Sequence, residues 1–201
     1  IQVDPAVGRS FASVLRSFLR HDPNIMLVGE IRDAETADIA VKASLTGHLV
    51  LSSVHTNDAP STLMRLTDLG IDPVYVGSSV LAVAAQRLVK RICENCKEPA
   101  EATGEDLLHL GLRPEDVADA TIFKGRGCDS CNKTGYKGRL AVFEVLPMSS
   151  RIREAIFSKA TLGQIKTIAK EDGFTSLREA ALRKWKQGVT TLEEVLGETF
   201  E

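Results

Sequence analysis

Hydrophobic positions near the start of the chain alternate between continuous runs and helical spacing. Short apolar runs occupy residues 25–28 and 49–54. A run of this length that ends in glycine and charge is typical of a buried parallel strand. Residues 33–47 between the runs have helical spacing, with Asp33 as a cap and Gly47 as a stop. Strand, helix and strand in this order predict a βαβ unit and a parallel sheet.

Helical spacing also occurs on both sides of this unit. Residues 10–22 are predicted to form a helix before the first strand, and residues 59–69 a helix after the second. Residues 74–92 form a longer apolar stretch, which we interpret as a buried or interface helix because Gln86 and Arg87 interrupt it.

The last quarter of the chain is predicted to be helical throughout, with Gly173 and Gly188 as breaks. The predicted helices are 152–159, 162–172, 176–187 and 192–200. The expected caps are Thr161, Thr175 and Thr191.

All four cysteines fall between these helical regions, in two C-x-x-C pairs. Cys93 and Cys96 are followed, after 31 residues, by Cys128 and Cys131. Two such pairs can place four thiolates tetrahedrally around Zn²⁺ and leave no position for a substrate, so they predict a structural zinc site. Redox dithiols and an iron–sulfur cluster are the alternatives, although neither pair has the βαβ context of a thioredoxin-like site.

Two elements are predicted inside the cysteine segment, residues 93–146. The long spacing between the pairs leaves room for an extended lobe with a helix within residues 104–117. Residues 138–146, at the end of the segment, are predicted to form a strand.

Composition narrows the class of protein. The 201 residues are 43% hydrophobic with a formal net charge of −2, which argues against a domain that binds nucleic acid over its whole surface. A basic group near the second cysteine pair is interpreted as a solvated or protein-docking surface, so we expect no nucleic-acid partner. This group comprises Lys124, Arg126, Lys133, Lys137 and Arg139.

The apolar runs and the first residues bear on location. No run approaches the length of about 18 apolar residues that a membrane span needs. The first residues lack the basic and apolar regions of a signal peptide. The chain does not begin with methionine, so we expect further sequence upstream. Paired cysteines without an export signal indicate reduced thiols in the cytosol.

Candidate catalytic residues flank the two predicted strands. Glu30 follows the first strand, where a carboxylate can hold Mg²⁺ or orient an attacking water. His48 opens the second strand and His55 closes it, so the two histidines are expected at opposite ends. If the strands are parallel neighbours, His55 reaches the same sheet edge as Glu30, where an imidazole can donate to a γ-phosphate. Taken alone, each residue is also compatible with an ordinary polar strand end.

Taken together and in order, residues 11–71 resemble the secretion-superfamily ATPases, the hexameric motors of type II secretion and type IV pilus assembly. LVGEIRD at residues 27–33 is similar to the Walker B box of that family, and TGHLVLSSVHTND at residues 46–58 is similar to its His box. The cysteine stretches at 84–99 and 128–146 resemble the tetracysteine module of the secretion and assembly branch, which the pilus-retraction branch lacks. The likeness covers essentially the whole chain.

The resemblance implies an α/β protein with a partial RecA-like P-loop ATPase core, a tetracysteine zinc module and a C-terminal helical region. Residues 1–92 would be the C-terminal part of the core, residues 93–146 the zinc module, and residues 147–201 the helical region. The implied cofactors are ATP, Mg²⁺ and Zn²⁺. The implied partners are further copies of the chain in a homohexamer and the inner-membrane platform proteins of the machine. A cytoplasmic protein at the periphery of the inner membrane is therefore expected.

Site residues follow from the same resemblance. Glu30 matches the Walker B acid, and Arg32 and Asp33 complete that box in supporting roles. His48 and His55 match the His box. The implied zinc ligands are Cys93, Cys96, Cys128 and Cys131.

One departure from the family pattern bears on activity. No G-x-x-x-x-G-K-[ST] loop occurs in the 201 residues, so no cradle of that kind holds the phosphates. By resemblance, that loop, an acidic box and the arginines that reach a neighbouring nucleotide lie upstream of Ile1. We interpret the chain as the C-terminal part of a longer ATPase, with a paralogue that has lost ATP binding as the alternative.

The isolated chain is accordingly expected to hydrolyse no ATP, with the main catalytic base supplied from upstream. Without its central strand, the core is expected to expose strand edges and apolar helix faces, and hence to associate or exchange domains. The other class of function is a non-catalytic zinc-containing module that docks to proteins or binds nucleic acid.

Overall fold

The computed structural model describes residues 3–4, 7–102, 104, 107, 112–117 and 120–199. Its α-helices are α1 Phe11–Phe18, α2 Ala34–Leu45, α3 Ala59–Asp68, α4 Pro73–Ser79, α5 Ser150–Phe157, α6 Leu162–Glu171, α7 Leu177–Lys186 and α8 Leu192–Glu198. Its strands are β1 Ile25–Val28, β2 Leu49–Ser52, β3 Ala82–Ile92, β4 Lys97–Pro99, β5 Phe123–Gly125 and β6 Tyr136–Pro147. Short 3-10 helices occupy Leu19–His21, Pro114–Val117 and Asp129–Cys131.

The chain divides into two compact units, each built from two stretches of sequence. The first unit comprises Ile1–Ala84 and Val145–Phe174, and the second comprises Ala85–Glu144 and Thr175–Glu201. The helical region predicted at residues 147–201 therefore contributes α5 and α6 to the first unit and α7 and α8 to the second.

A parallel pair of strands joined by a helix organises the first unit. Strands β1 and β2 pair in parallel, with Ile25 opposite Leu49. Helix α2 makes the crossover and begins at its N-cap Asp33, whose side chain accepts a hydrogen bond from the Thr36 N–H. The predicted βαβ unit and its parallel sheet are confirmed.

The two faces of this sheet differ in burial. Met26 and Val28 face the core, and each is 6% exposed. On the other face, apolar side chains are between 41% and 78% exposed: Ile25, Leu27, Leu49 and Leu51. Parallel strands are normally buried on both faces. The apolar exposure expected at strand edges and helix faces is thus found here on a sheet face.

The helices of the first unit pack around apolar residues that are almost completely buried. Helices α3, α4, α5 and α6 each contribute one of the residues Leu63, Val76, Ile152 and Ile165. Each of these helices begins at a polar N-cap, which satisfies backbone N–H groups that have no partner inside the helix. The caps are Asp58, Asp72, Ser149 and Thr161. The predicted helices at 59–69, 152–159 and 162–172 and the predicted cap Thr161 are confirmed.

The prediction of one long helix at residues 74–92 is wrong. Helix α4 ends at Ser79, Val80 adopts an extended conformation, and β3 follows as the partner of β6. Burial alternates along most of β3, so that Val89 faces inwards while Lys90 faces solvent. The small apolar residues of this stretch fit both helical and strand periods, and pairing with β6 decides in favour of the strand.

The second unit has a separate core around α7. Trp185 is 1% exposed and packs with Val89, Val142 and Val195. Strand β6 confirms the strand predicted at residues 138–146, and α7 and α8 confirm the last two predicted helices.

The helix caps and the cysteine segment agree only in part with the sequence predictions. Thr191 caps α8 as predicted, but the cap of α7 is Ser176 rather than Thr175, because the Ser176 hydroxyl accepts the N–H three residues later. Of the helix predicted within 104–117, a 3-10 turn at Pro114–Val117 is described, and most of the rest lies outside the described residues. Among the described helices, none combines the length and apolar character that a bilayer span requires.

Candidate functional site

The segments that follow β1 and β2 form a small polar site in the first unit. The Ile31 N–H donates to the Ser53 carbonyl at 2.9 Å, and the Ser53 hydroxyl donates to the Gly29 carbonyl at 2.8 Å. These two bonds hold the segments side by side beyond the ends of the strands. Glu30 and His55 therefore leave the sheet at the same edge, as the parallel arrangement predicted.

Glu30 lies at the centre of this site. Its Oε2 atom is 2.9 Å from Nε2 of His55 and 2.7 Å from Nε of Arg32. The side chain of Glu30 is 22% exposed, whereas that of Arg32 is 67% and that of His55 is 79% exposed. Hydrogen bonds with Arg32, first, and with His55 lower the pKa of Glu30, and partial burial opposes them. The carboxylate is therefore ionised at neutral pH, which is the form that binds a metal or a water, and it remains partly exposed.

Two other residues predicted for the cofactor site lie at the ends of the crossover helix α2. Asp33 caps the first turn, where its Oδ1 and Oδ2 accept from the Thr36 N–H at 2.8 Å and the Thr36 hydroxyl at 3.0 Å. His48 follows the last turn, where its Nδ1 lies 2.9 Å from the Ala43 carbonyl and 3.2 Å from Oγ1 of Thr46. Both side chains thus support the helix that connects the two strands. The other three candidates, Glu30, Arg32 and His55, are the ones that the structure brings together.

The four cysteines of the second unit converge on one point. Their Sγ atoms all lie within 4.8 Å of one another. The Sγ separations are 3.9 Å for Cys93–Cys128, 3.9 Å for Cys96–Cys131 and 3.7 Å for Cys128–Cys131. Four thiolates bound at about 2.3 Å to a central Zn²⁺ would lie about 3.8 Å apart, so the cysteines fit one tetrahedral ion.

The alternatives for the cysteines fit this geometry less well. A disulfide bond requires sulfur atoms about 2.05 Å apart, and all four residues are free thiols. An iron–sulfur cluster would have to place several iron and sulfide atoms between the four Sγ atoms. The geometry favours a single bound ion.

Backbone N–H groups point at the sulfur atoms. The Gly127 N–H donates to Sγ of Cys96 at 3.3 Å. The N–H groups of Cys128 and Gly135 donate to Sγ of Cys131 at 3.2 Å and 3.3 Å. The Cys128 N–H is the main cause that lowers the pKa of Cys131 to about 6, whereas burial raises the pKa of Cys96 to about 11. Donors of this kind stabilise a thiolate, which is the form that binds a metal.

Two glycines that the sequence analysis did not single out bring the cysteine pairs together. A Cβ atom on Gly135 would lie 2.5 Å from the Gly125 carbonyl oxygen, and Gly135 has a φ of 80° that disfavours other residues. The Gly135 carbonyl also accepts the Cys93 N–H at 2.9 Å. Gly125 lies three residues before Cys128 and Gly135 four residues after Cys131, and glycines that flank the pair in this way are the sequence signal that could have identified them.

The basic group near the second cysteine pair has acidic neighbours. Lys124 lies 3.6 Å from the carboxylate of Glu98, and Lys133 lies 2.9 Å from that of Asp129. These carboxylates offset part of the positive charge that a phosphate backbone would need. The contacts favour the interpretation as a solvated or docking surface.

The chain matches one known family along nearly its whole length. The family model described as "Type II/IV secretion system protein" matches residues 1–197. "Type IV pilus assembly ATPase PilB" of Thermus thermophilus is 48% identical over 200 residues, which are 100% of this chain and 22% of that protein. "Type II secretion system protein E" of Pseudomonas aeruginosa is 45% identical over 100% of this chain and 39% of its own length. The chain thus spans well under half of the length of these relatives.

Solved structures share the mixed α/β fold. The pilus retraction motor PilT with bound ADP has a TM-score of 0.65 at 25% identity, covering 94% of this chain and 43% of that chain. The ATPase DotB of Legionella pneumophila has a TM-score of 0.60 at 22% identity, covering 92% of this chain and 41% of that chain. With the family match over residues 1–197, the conclusion is that the chain belongs to the type II/IV secretion system protein family.

Proposed function

We propose that this chain carries part of the ATP site of an ATPase that powers type II secretion or type IV pilus assembly. The observation that carries the proposal is the contact between Glu30 and His55 beyond two parallel strands. Ligands of open α/β sheets bind beyond the carboxyl ends of the strands. The reaction, hydrolysis of ATP, is inferred from the relatives, which are named as ATPases.

Glu30 is the proposed Walker B acid. Arg32 and His55 both contact its Oε2 atom, which keeps the carboxylate ionised for a metal or water. Mg²⁺, when bound, would neutralise charge on the phosphates. The ring of His55 is 79% exposed and would donate to a γ-phosphate bound at this sheet edge. Asp33 and His48 act indirectly, because they fix the ends of α2.

The cysteines are proposed to hold one structural Zn²⁺, because four thiolates fill a tetrahedral ion and leave no position for a substrate. The ligands are Cys93, Cys96, Cys128 and Cys131. The βαβ unit is proposed to be the C-terminal part of a RecA-like core at residues 1–92, followed by a zinc module at 93–146 and a helical region at 147–201.

The 201 residues alone are proposed to be inactive, because they contain no phosphate-binding loop of the Walker type. In the ATPase, the proposed partners are further copies in a homohexamer and inner-membrane platform proteins, which would hold a cytoplasmic protein at the membrane periphery. Mg²⁺-dependent turnover by the purified chain would contradict the proposed inactivity.

A segment exchange tests whether Glu30 works in an ATP site. The chain replaces the matching 200 residues of the Thermus thermophilus relative, and ATP hydrolysis by the chimera is measured with and without Glu30→Gln. We expect the chimera to hydrolyse ATP and the variant to lose about 100-fold or more of kcat, as loss of a catalytic group typically does.

Glu35→Gln is the matched control, because Glu35 is an exposed acid in the first turn of α2 whose carboxylate pairs with Arg16. The control should retain the activity of the chimera. Equal activity in the chimera with and without Glu30→Gln would rule out the proposed role of Glu30.

A further inference from the structure

The segment between β2 and α3, residues 53–58, carries His55 and ends at Asp58, whose two carboxylate oxygens each have a partner. Oδ1 of Asp58 accepts the Ser61 N–H at 2.7 Å, so this side chain is the N-cap of α3. Its other oxygen, Oδ2, lies 2.7 Å from Nζ of Lys166. One carboxylate therefore joins the His55 segment to α3 and, through Lys166, to α6.

A hydroxyl contact reinforces the same segment. Oγ1 of Thr56 lies 2.7 Å from Oγ1 of Thr62, which is 8% exposed. The Thr62 hydroxyl also lies 3.2 Å from the Asp58 carbonyl. The residue directly after His55 is thus tied to the first turn of α3.

Helix α6, which carries Lys166, is packed into the first unit next to the Asp58–Lys166 contact. Ile165, which precedes Lys166, is 0% exposed, and with Leu63 of α3 it lines a cleft between the two helices. Asp58 is 21% and Lys166 44% exposed as side chains. Burial opposes ionisation of Asp58, but the hydrogen bonds from Lys166 and Ser61 outweigh it and lower the pKa of Asp58. The pair is thus charged and partly shielded from water.

We propose that Lys166 is a positioning residue, whose ion pair with Asp58 holds the segment carrying His55 in place beside Glu30 and couples this site to helix α6. Movement of α6 would then change the position of His55. The functional meaning of this coupling rests on the proposed ATP site, but the contact itself is independent of nucleotide.

The test follows the Ile31 N–H, which donates to the Ser53 carbonyl at the start of the segment. None of the substitutions changes Ile31 or Ser53. Amide hydrogen exchange of Ile31 and the NMR signals of the His55 ring are measured in the nucleotide-free chain. We expect Lys166→Met and Asp58→Asn each to speed exchange of the Ile31 N–H about 1.5- to fivefold, the range for a partly exposed ion pair. Asn still caps α3, so the second variant removes charge only.

Three further variants make the result decisive. Lys166→Arg should keep the exchange rate of the Ile31 N–H and the His55 signals of the wild type. In the double variant, which combines Lys166→Met and Asp58→Asn, exchange should be no faster than in either single variant. Lys170→Met removes an exposed lysine from the same helix and should leave both readouts unchanged. Wild-type exchange and His55 signals in Lys166→Met, additive effects in the double variant, or failure of Lys166→Arg to keep the wild-type readouts would each overturn the proposal. An inactive chimera with the expected exchange pattern would instead count against the ATP site alone.

Discussion

The cysteine centre and the Glu30 site differ in how far their side chains are buried. Cys93, Cys96 and Cys131 are at most 6% exposed, and backbone N–H groups and close glycine contacts fix their positions. At the other site, His55 is 79% exposed and meets Glu30 through a single contact. The cysteines are thus enclosed by the chain, whereas His55 lies at an open sheet edge.

This difference follows from what each kind of chemistry requires. A structural metal needs a closed set of four ligands that excludes other molecules. A group that acts on a phosphate or a water must stay accessible until the other parts of its site surround it. The burial of the cysteines therefore fits the proposed structural metal, and the exposure of His55 fits the proposed role beside a phosphate.

Metal removal should separate the two sites most strongly. A structural Zn²⁺ contributes on the order of 10 kcal/mol to the folding of small metal sites, so chelation should unfold the region around the cysteines while β1 and α2 remain protected. Hydrogen exchange before and after chelation, with atomic absorption for one zinc per chain, checks this. A preparation that holds iron or no metal would contradict the zinc assignment.

The next effect in size is expected from Gly135→Ala. The added Cβ would meet the Gly125 carbonyl oxygen at 2.5 Å while φ stays at 80°, so we expect a loss of about 2–4 kcal/mol and weaker metal binding. Gly138→Ala is the control, because Gly138 has a φ of 79° and no atom within 4 Å of the new Cβ. It should lose only about 1 kcal/mol in urea denaturation. Equal losses would mean that close packing at Gly135 is unimportant.

The two histidines should respond differently to truncation. His48→Ala removes the side chain that contacts the Ala43 carbonyl at the end of α2, and a loss of about 0.5–1.5 kcal/mol is expected. His55→Ala removes an exposed ring and should change the free energy of unfolding by less than about 0.5 kcal/mol. Urea denaturation of the whole chain, followed by signals from the first unit, measures both changes in the free energy of unfolding. A larger loss for His55→Ala than for His48→Ala would reverse the assigned roles.

The smallest effect concerns the charge of Glu30. Because its pKa is lowered in the folded chain, its ionised form stabilises the fold at neutral pH, and this contribution is lost as the pH falls from 4.5 through the folded pKa. Arg32→Ala should raise the Glu30 pKa more than His55→Ala does, since Arg32 is the larger cause. Carboxyl ¹³C titration by NMR gives both shifts, and the reverse order would show that His55 dominates.

Local patterns were sufficient to predict the βαβ unit and the edge at which Glu30 and His55 meet. The apolar run at Ile25–Val28 and the cap at Asp33 define elements from adjacent residues, and parallel pairing then fixes which strand ends lie together. The cysteine spacing likewise indicated four convergent thiolates.

Contacts between distant segments could not be predicted in this way. The strand at Ala82–Ile92 depends on pairing with β6, which its small apolar residues do not reveal. The approach of Gly125 to Gly135 and the pairing of Asp58 with Lys166 join segments whose positions are set by the fold as a whole. In each case the residue type allows the contact, but the sequence does not name the partner.

The exposed apolar face of the β1–β2 sheet and the Asp58–Lys166 ion pair should respond to salt in opposite directions. Contact between exposed faces that carry Leu27 and Leu51 would strengthen in sulfate, because excluded salts favour apolar burial. The Asp58–Lys166 pair would weaken as ionic strength rises, because salt screens partly exposed charges. Rising salt would therefore favour self-association of the chain while loosening the segment that holds His55.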